Sequence, residues 1–225
     1  LDLYIGIYKR CQKKWLKMPK EIFPNTGFIK SKLNKKAMNK LNFYIKNKKD
    51  SHKSSLVGNI SNSYKIEDKD NWFFKNVLLE LIDEYSQEDF KAIVPSILTK
   101  NCKYVLDSLW VNFQKKYEFN PVHSHFKAVF SFVVWIKIPS SYKKEAKLKF
   151  TKESNSPCTN TFEFLFTNVL GKVCSKRFHL EPEDEGTILL FPAPLSHQVY
   201  PFYLTNKKRI SISGNIALDP TQTIQ

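Results

Sequence analysis

Arginine is scarce in this chain. Arg10, Arg177 and Arg209 are the only three, although lysine and arginine together number 36 and the formal net charge is +15. Proteins that read nucleic acid favour arginine for its bidentate fork. A lysine-, asparagine- and isoleucine-rich chain with little arginine and only 6 glycines instead reads as the product of AT-rich coding. The lysines are therefore taken as a solvated surface, and nucleic acid is the less favoured partner. Long apolar runs are absent too. Val129–Ile138 and Thr187–Phe191 have the length of strands, so no membrane span or membrane partner is expected. The first residues, Leu1 to Tyr8, lack the long apolar stretch of a signal peptide, and a start at Leu1 reads as a trimmed or incomplete end. Cys11, Cys102, Cys158 and Cys174 form no C-x-x-C pair, which argues against a zinc knuckle or a redox motif. Reduced thiols and a cytoplasmic location are the expectation.

At 225 residues with 42% hydrophobic and 14% aromatic content, the chain is long enough for a substantial core and reads as one structural domain. Within it, residues 1–103 read as an α-rich region packing on the core, and residues 104–225 as the core itself. Lys30–Lys49 carries Leu33, Met38, Leu41 and Tyr44 at roughly helical spacing. A second helix runs through Phe73, Val77, Leu78, Leu81, Ile82 and Tyr85, with Asp70 or Asn71 as its cap, and a short third one covers Glu88–Ala92. From Tyr104 the pattern changes to short β-branched and aromatic runs: Tyr104–Gln114, Phe126–Ile138, Ala146–Thr151, Thr161–Thr167, Val173–Phe178, Thr187–Phe191, Gln198–Tyr203 and Arg209–Ala217. About eight strands after a helical start predict a mainly β protein with N-terminal helices, built on a double-stranded β-helix (jelly-roll, cupin-like) core. A different β-sandwich is the alternative.

The chemistry concentrates in the second half. His123 and His125 stand two apart, so on one extended strand both rings face the same way and can bind one ion. His197, in Leu195-Ser196-His197-Gln198-Val199, supplies a distant third imidazole that completes a facial set with open positions. Imidazole suits iron, copper, nickel and zinc, so the ligands alone do not name the metal. His52 and His179 lack such company and read as structural. Twelve residues past His197, Arg209, Ser211 and Ser213 alternate onto one face of a strand. A guanidinium fork beside a hydroxyl matches a carboxylate. Trp135, Phe130, Phe132 and Phe191 are candidates for pocket walls or plain core.

These residues resemble the iron(II)- and 2-oxoglutarate-dependent oxygenases, in a branch common in phage and bacterial genomes. The matching pattern is W-x-N at Trp110 and Asn112, N-x-x-H-x-H at Asn120, His123 and His125, H-x-V-x-P at His197, Val199 and Pro201, and R-x-S-x-S-x-N from Arg209 to Asn215. It spans about Trp110 to Asp219. The resemblance implies a double-stranded β-helix in which His123, His125 and His197 hold Fe(II) and do the catalytic work. Arg209 and Ser211 would bind the far carboxylate of 2-oxoglutarate, with Asn112 and Gln114 beside it. It further implies molecular oxygen as cosubstrate and hydroxylation of a primary substrate that the sequence leaves open. One departure stands out: the wider superfamily has Asp or Glu where this chain has His125. Either three histidines form the site or a carboxylate joins from elsewhere. A three-histidine, cupin-like dioxygenase working without 2-oxoglutarate is the nearest alternative, and a non-catalytic module with a basic binding surface is the other.

Overall fold

A computed structural model describes residues 26–87 and 102–223. Among these residues ten strands form two sheets in which every pair is antiparallel. The larger sheet has the order β1-β8-β5-β10-β3-β2, from β1 (Ile29–Lys32), β2 (Ser63–Lys65), β3 (Cys102–Gln114), β5 (Phe130–Lys137), β8 (Thr187–Pro192) and β10 (Arg209–Thr223). The smaller has the order β4-β9-β6-β7, from β4 (Asn120–His123), β6 (Thr161–Thr167), β7 (Val173–His179) and β9 (Ser196–Val199). The result is the mainly β, jelly-roll architecture expected from the strand pattern.

The large sheet is covered on both faces, which explains why β5 and β8 are continuous apolar runs rather than alternating ones. Phe132, Val134 and Ile136 of β5 and Ile188 and Leu190 of β8 face a helical layer carrying Leu41, Tyr44, Phe73, Leu78, Ile82 and Tyr85. Val133 and Trp135 of β5, with Leu189 and Phe191 of β8, face the small sheet through Phe162 and Phe164 of β6. Each such fully buried side chain contributes about 1.5–3 kcal/mol, so the two apolar layers hold the sheets face to face. Between them opens the cavity described below.

The helical layer begins with α1 (Lys35–Lys46), shorter than the periodicity predicts because Ile29–Lys32 has joined β8 as an edge strand. Asn34 caps it by accepting the Ala37 N–H at 2.9 Å. The helical stretch from Trp72 passes through a π turn at Phe74–Leu78 into α2 (Leu79–Gln87). Its cap is Asp68 rather than Asp70 or Asn71. The Asp68 carboxylate accepts from Phe73 N at 2.9 Å and Phe74 N at 2.7 Å, and from the Tyr44 hydroxyl at 2.6 Å. Asp70 and Asn71 adopt left-handed conformations (φ 62° and 52°) that fold the chain back so that Asp68 reaches those amides. The predicted helix over Glu88–Ala92 lies outside the described residues.

The later half departs from the sequence pattern in four places. Ala146–Thr151 is not a strand: α3 (Tyr142–Glu145) and α4 (Lys149–Lys152) replace it, pinned where Thr151 Oγ1 donates to Glu145 O at 2.7 Å. Alternation of Ala146, Leu148 and Phe150 mimics a strand there. The strand expected over Phe126–Ile138 starts only at Phe130, since Phe126 and Lys127 form a turn. His125 therefore lies just beyond β4 instead of sharing a strand with His123. The strand expected over Gln198–Tyr203 lies earlier, at Ser196–Val199. Pro201 has no N–H to give a ladder, and His197 consequently sits inside β9. No helix among the described residues is long and apolar enough to cross a membrane.

Candidate metal and cosubstrate site

His123 and His197 are direct cross-strand partners, one at the end of β4 and one in β9. Their ring centroids lie 4.2 Å apart. His125 joins from the following loop, where its N–H donates to Ala193 O at 2.9 Å, and its ring stands 5.2 Å from His123 and 5.4 Å from His197. One ring nitrogen of each falls within 4.8 Å of the others. Nitrogens about 2.1 Å from a shared ion are about 3 Å apart when mutually perpendicular, a spacing that small ring rotations would reach.

The hydrogen bonds set the tautomers. Nδ1 of His123 lies 2.8 Å from Pro121 O, and Nδ1 of His197 lies 2.9 Å from Leu195 O. Carbonyls only accept, so each Nδ1 carries the proton and each Nε2 keeps its lone pair. Asn120 Nδ2, 3.3 Å from His123 Nε2, is consistent with this assignment. Burial disfavours the imidazolium at all three. It pushes His125 down to about 4 and His197 to about 3, with the His123 charge adding to both, and lowers His123 as well. Three neutral imidazoles at neutral pH are the donor set that a borderline divalent metal such as iron(II) needs. No Asp or Glu joins the group among the described residues.

Arg209 opens β10 and lies opposite Gln114 of β3, with Ser211 opposite Asn112 and Ser213 opposite Trp110. This register lines up on one face the residues whose period-2 spacing marked them in the sequence. Arg209 is buried, at 2% exposure, and every hydrogen-bond partner it has among the described residues is neutral. Gln114 Oε1 accepts from Nε at 3.1 Å and Nη2 at 2.7 Å, Tyr200 O from Nη2 at 2.9 Å, and Asn160 Oδ1 from Nη1 at 3.0 Å. The ion pairs among the described residues do not include it. Burial pushes its guanidinium down to about 9, partly offset by the charge of Glu145. The cation persists at neutral pH, without a counter-anion in contact.

Both groups line one cavity of about 220 Å³. Ser211, Ser213, Asn112, Gln114, Trp135, Phe132 and Phe191 share its wall, whereas Phe130 packs among Tyr85 and Tyr104 in the helical core. His52, which the sequence marked as structural, also lines it, stacked on Trp110 at 4.9 Å. His179 stays apart, stacked on Tyr142 at 3.7 Å. Four wall residues carry buried polar atoms without a protein partner: His52 Nδ1, Trp110 Nε1, Asn112 Oδ1 and Asn120 Oδ1. Unpaired buried polar atoms cost about 1–3 kcal/mol each, so a cavity carrying four of them is built for a polar guest. Gly58 packs so closely on Asn120 that a Cβ there would overlap Asn120 Oδ1 and approach Phe119 O to 2.7 Å, which keeps the segment around His52–Ile60 against the site. A larger groove of about 620 Å³ beside it, between Val122, Leu165, Val173 and Leu195, has no ionisable side chain in its wall.

Comparison with known proteins agrees with the resemblance. The family model described as "Putative 2OG-Fe(II) oxygenase" matches residues 108–215. An oxidoreductase of the 2OG-Fe(II) oxygenase family from Burkholderia pseudomallei superposes with a TM-score of 0.51 at 10% identity, covering 85% of this chain and 84% of its own. The non-heme α-ketoglutarate-dependent epimerase SnoN from nogalamycin biosynthesis gives 0.51 at 10% identity, covering 85% and 76%. At such identities the likeness concerns the fold. No curated protein is detectably similar in sequence. The family match covers every motif from Trp110 to Asn215, and over that stretch, within a jelly-roll fold, the chain is similar to the iron(II)- and 2-oxoglutarate-dependent oxygenases.

Proposed function

We propose that His123, His125 and His197 hold the iron, and that Arg209 and Ser211 bind the distal carboxylate of 2-oxoglutarate. The reaction would couple cosubstrate decarboxylation to hydroxylation of a primary substrate: 2-oxoglutarate, oxygen and a C–H bond give succinate, carbon dioxide and an alcohol. The observation that carries this reading is Arg209, a buried cation with only neutral partners in the same cavity as three neutral imidazoles. A buried charge without a counter-ion costs several kcal/mol, and an anionic guest in that cavity removes the cost.

Bound iron(II) would supply the activation of oxygen and the oxidative decarboxylation. The chain's own residues orient and exclude. Pro121 O and Leu195 O fix the ring tautomers of His123 and His197. Three neutral imidazoles would leave the charge of a bound ion uncompensated, which would favour a dianionic cosubstrate beside it. Phe162, Phe191 and Trp135 keep the cavity wall apolar beside the histidines. Asn112, with its unpaired Oδ1 beside Ser211, remains a candidate cosubstrate contact, while Gln114 acts on Arg209. The alternative without 2-oxoglutarate leaves the charge of Arg209 without a use.

Anaerobic titration of the iron(II) protein with 2-oxoglutarate, followed by its charge-transfer absorbance, tests the assignment, and succinate formation in the presence of oxygen and ascorbate tests turnover. Absence of both signals in protein shown to hold iron would refute it.

A further inference from the structure

Asn160 lies outside the cavity wall, behind Arg209, and is fully buried. Its backbone is left-handed (φ 40°), a conformation that asparagine tolerates better than most residues. Every group it has is used. Its N–H donates to Pro201 O at 2.7 Å, and its carbonyl accepts from Leu180 N at 2.9 Å. Nδ2 donates to Ser140 O at 2.9 Å and Leu180 O at 2.8 Å. Two carbonyl acceptors on that side identify it as the amide nitrogen, so the other end, Oδ1, is the oxygen and receives Arg209 Nη1.

The donors of Arg209 can be counted. A guanidinium has five N–H groups. Gln114 takes two, Tyr200 O takes one and Asn160 takes one, which leaves a single Nη1 N–H. Asn160 binds the nitrogen that carries this last donor and so determines its direction. The choice of amide over carboxylate matters as much as the position. Glu145 is the carboxylate whose charge Arg209 feels, and it is occupied elsewhere, accepting from Ser140 Oγ, Thr159 Oγ1 and the N–H groups of Tyr203 and Leu204. A neutral amide against Nη1 holds the guanidinium without cancelling its charge.

We propose that Asn160 is a positioning residue for the cosubstrate anchor: it aims the free Nη1 N–H of Arg209 at the distal carboxylate of 2-oxoglutarate and, being neutral, reserves the arginine charge for that carboxylate. This rests on the reading that Arg209 binds 2-oxoglutarate. Asn160→Gly suits the left-handed backbone and removes the acceptor, whereas Asn160→Asp keeps the shape and adds a competing anion. Each is compared with the unaltered protein and with Arg209→Met. Three quantities are measured: 2-oxoglutarate affinity by charge-transfer absorbance, iron affinity by chelator competition, and KM and kcat for 2-oxoglutarate from succinate release. Both Asn160 variants should raise Kd and KM for 2-oxoglutarate about tenfold or more, the factor equivalent to ~1.4 kcal/mol. The loss should be larger in Asn160→Asp, with iron affinity and kcat at saturating cosubstrate held within about twofold. Should Asn160→Gly fail to fold, Asn160→Asp carries the comparison alone. Cosubstrate affinity unchanged in a folded variant overturns the proposal, as does iron affinity falling in parallel, which would mean general disruption. If Arg209→Met itself leaves 2-oxoglutarate affinity intact, the underlying assignment fails instead.

Discussion

Arg209 and Gln114 face each other across β10 and β3, and one amide oxygen, Gln114 Oε1, receives two N–H groups of the guanidinium. The pairing fixes the plane of the fork from the protein side. Arg209→Lys keeps a charge but replaces five donors in a plane with three on a flexible stem. It should lower 2-oxoglutarate affinity by about tenfold or more. It should also destabilise the fold by about 1–3 kcal/mol, because Gln114, Asn160 and Tyr200 O lose a buried donor. Charge-transfer titration and thermal unfolding report the two effects separately. A lysine variant with unaltered cosubstrate affinity would remove Arg209 from the site.

His125 tests the three-histidine centre. Its ring lies within the cluster although it left the strand, so His125→Ala should reduce iron affinity strongly. His125→Asp, which supplies a carboxylate in place of the imidazole, should retain or partly recover it. Chelator competition with iron(II) measures both. If His125→Ala binds iron and turns over cosubstrate like the parent, the third ligand lies elsewhere in the chain.

What could be read in the sequence was whatever depends on short spacing. Arg-x-Ser-x-Ser is a period-2 pattern whose cavity-facing side follows from strand geometry alone, whereas His-x-His marked the right two rings although His125 leaves the strand. The strands β3, β6, β7, β8 and β10 were legible for the same reason. His52, Asn160 and Glu145 were not. His52 reaches the cavity only by stacking on Trp110, 58 residues away in sequence, and Asn160 meets Arg209 across 49. Each reads locally as an ordinary turn or polar-segment residue. Nor could the misread segment at Ala146–Thr151 be recognised, since the buried carboxylate of Glu145 that organises it finds its partners at Thr159, Tyr203 and Leu204.

The charge of +15 invites a polyanion as the primary substrate, and this is separable from the cosubstrate chemistry. With lysine as its main source, binding to single-stranded or duplex DNA should be non-specific, with Kd on the order of 10⁻⁴–10⁻⁶ M at physiological salt and an affinity that falls steeply as salt rises. Fluorescence anisotropy across a salt series reads both. Tight binding that survives physiological salt with a preference for sequence or strandedness would place nucleic acid first among candidate substrates.

The acid response of the protein follows from the buried imidazoles. In the unfolded chain a histidine titrates near 6.5, whereas in the fold His125 and His197 are held down to about 4 and about 3, and His123 is also lowered. Above 6.5 both states are neutral, and these groups make stability independent of pH. As pH falls below 6.5 the unfolded chain takes up protons that the fold refuses, so stability drops progressively until the folded values are reached. Metal binding obeys a different window. At His125 and His197 protons compete with the ion only as pH approaches about 4 and about 3, and burial moves the competition at His123 downward as well. The metal-free protein should therefore melt at lower temperature at pH 5 than at pH 7. Its affinity for nickel(II), an oxygen-stable probe of the same imidazoles, should stay nearly constant between pH 8 and about 6. Calorimetric titration in that range is decisive. Affinity dropping steeply around 6.5 would mean that the three rings titrate like solvated histidines, and that the burial and hydrogen bonding assigned to them do not set their protonation.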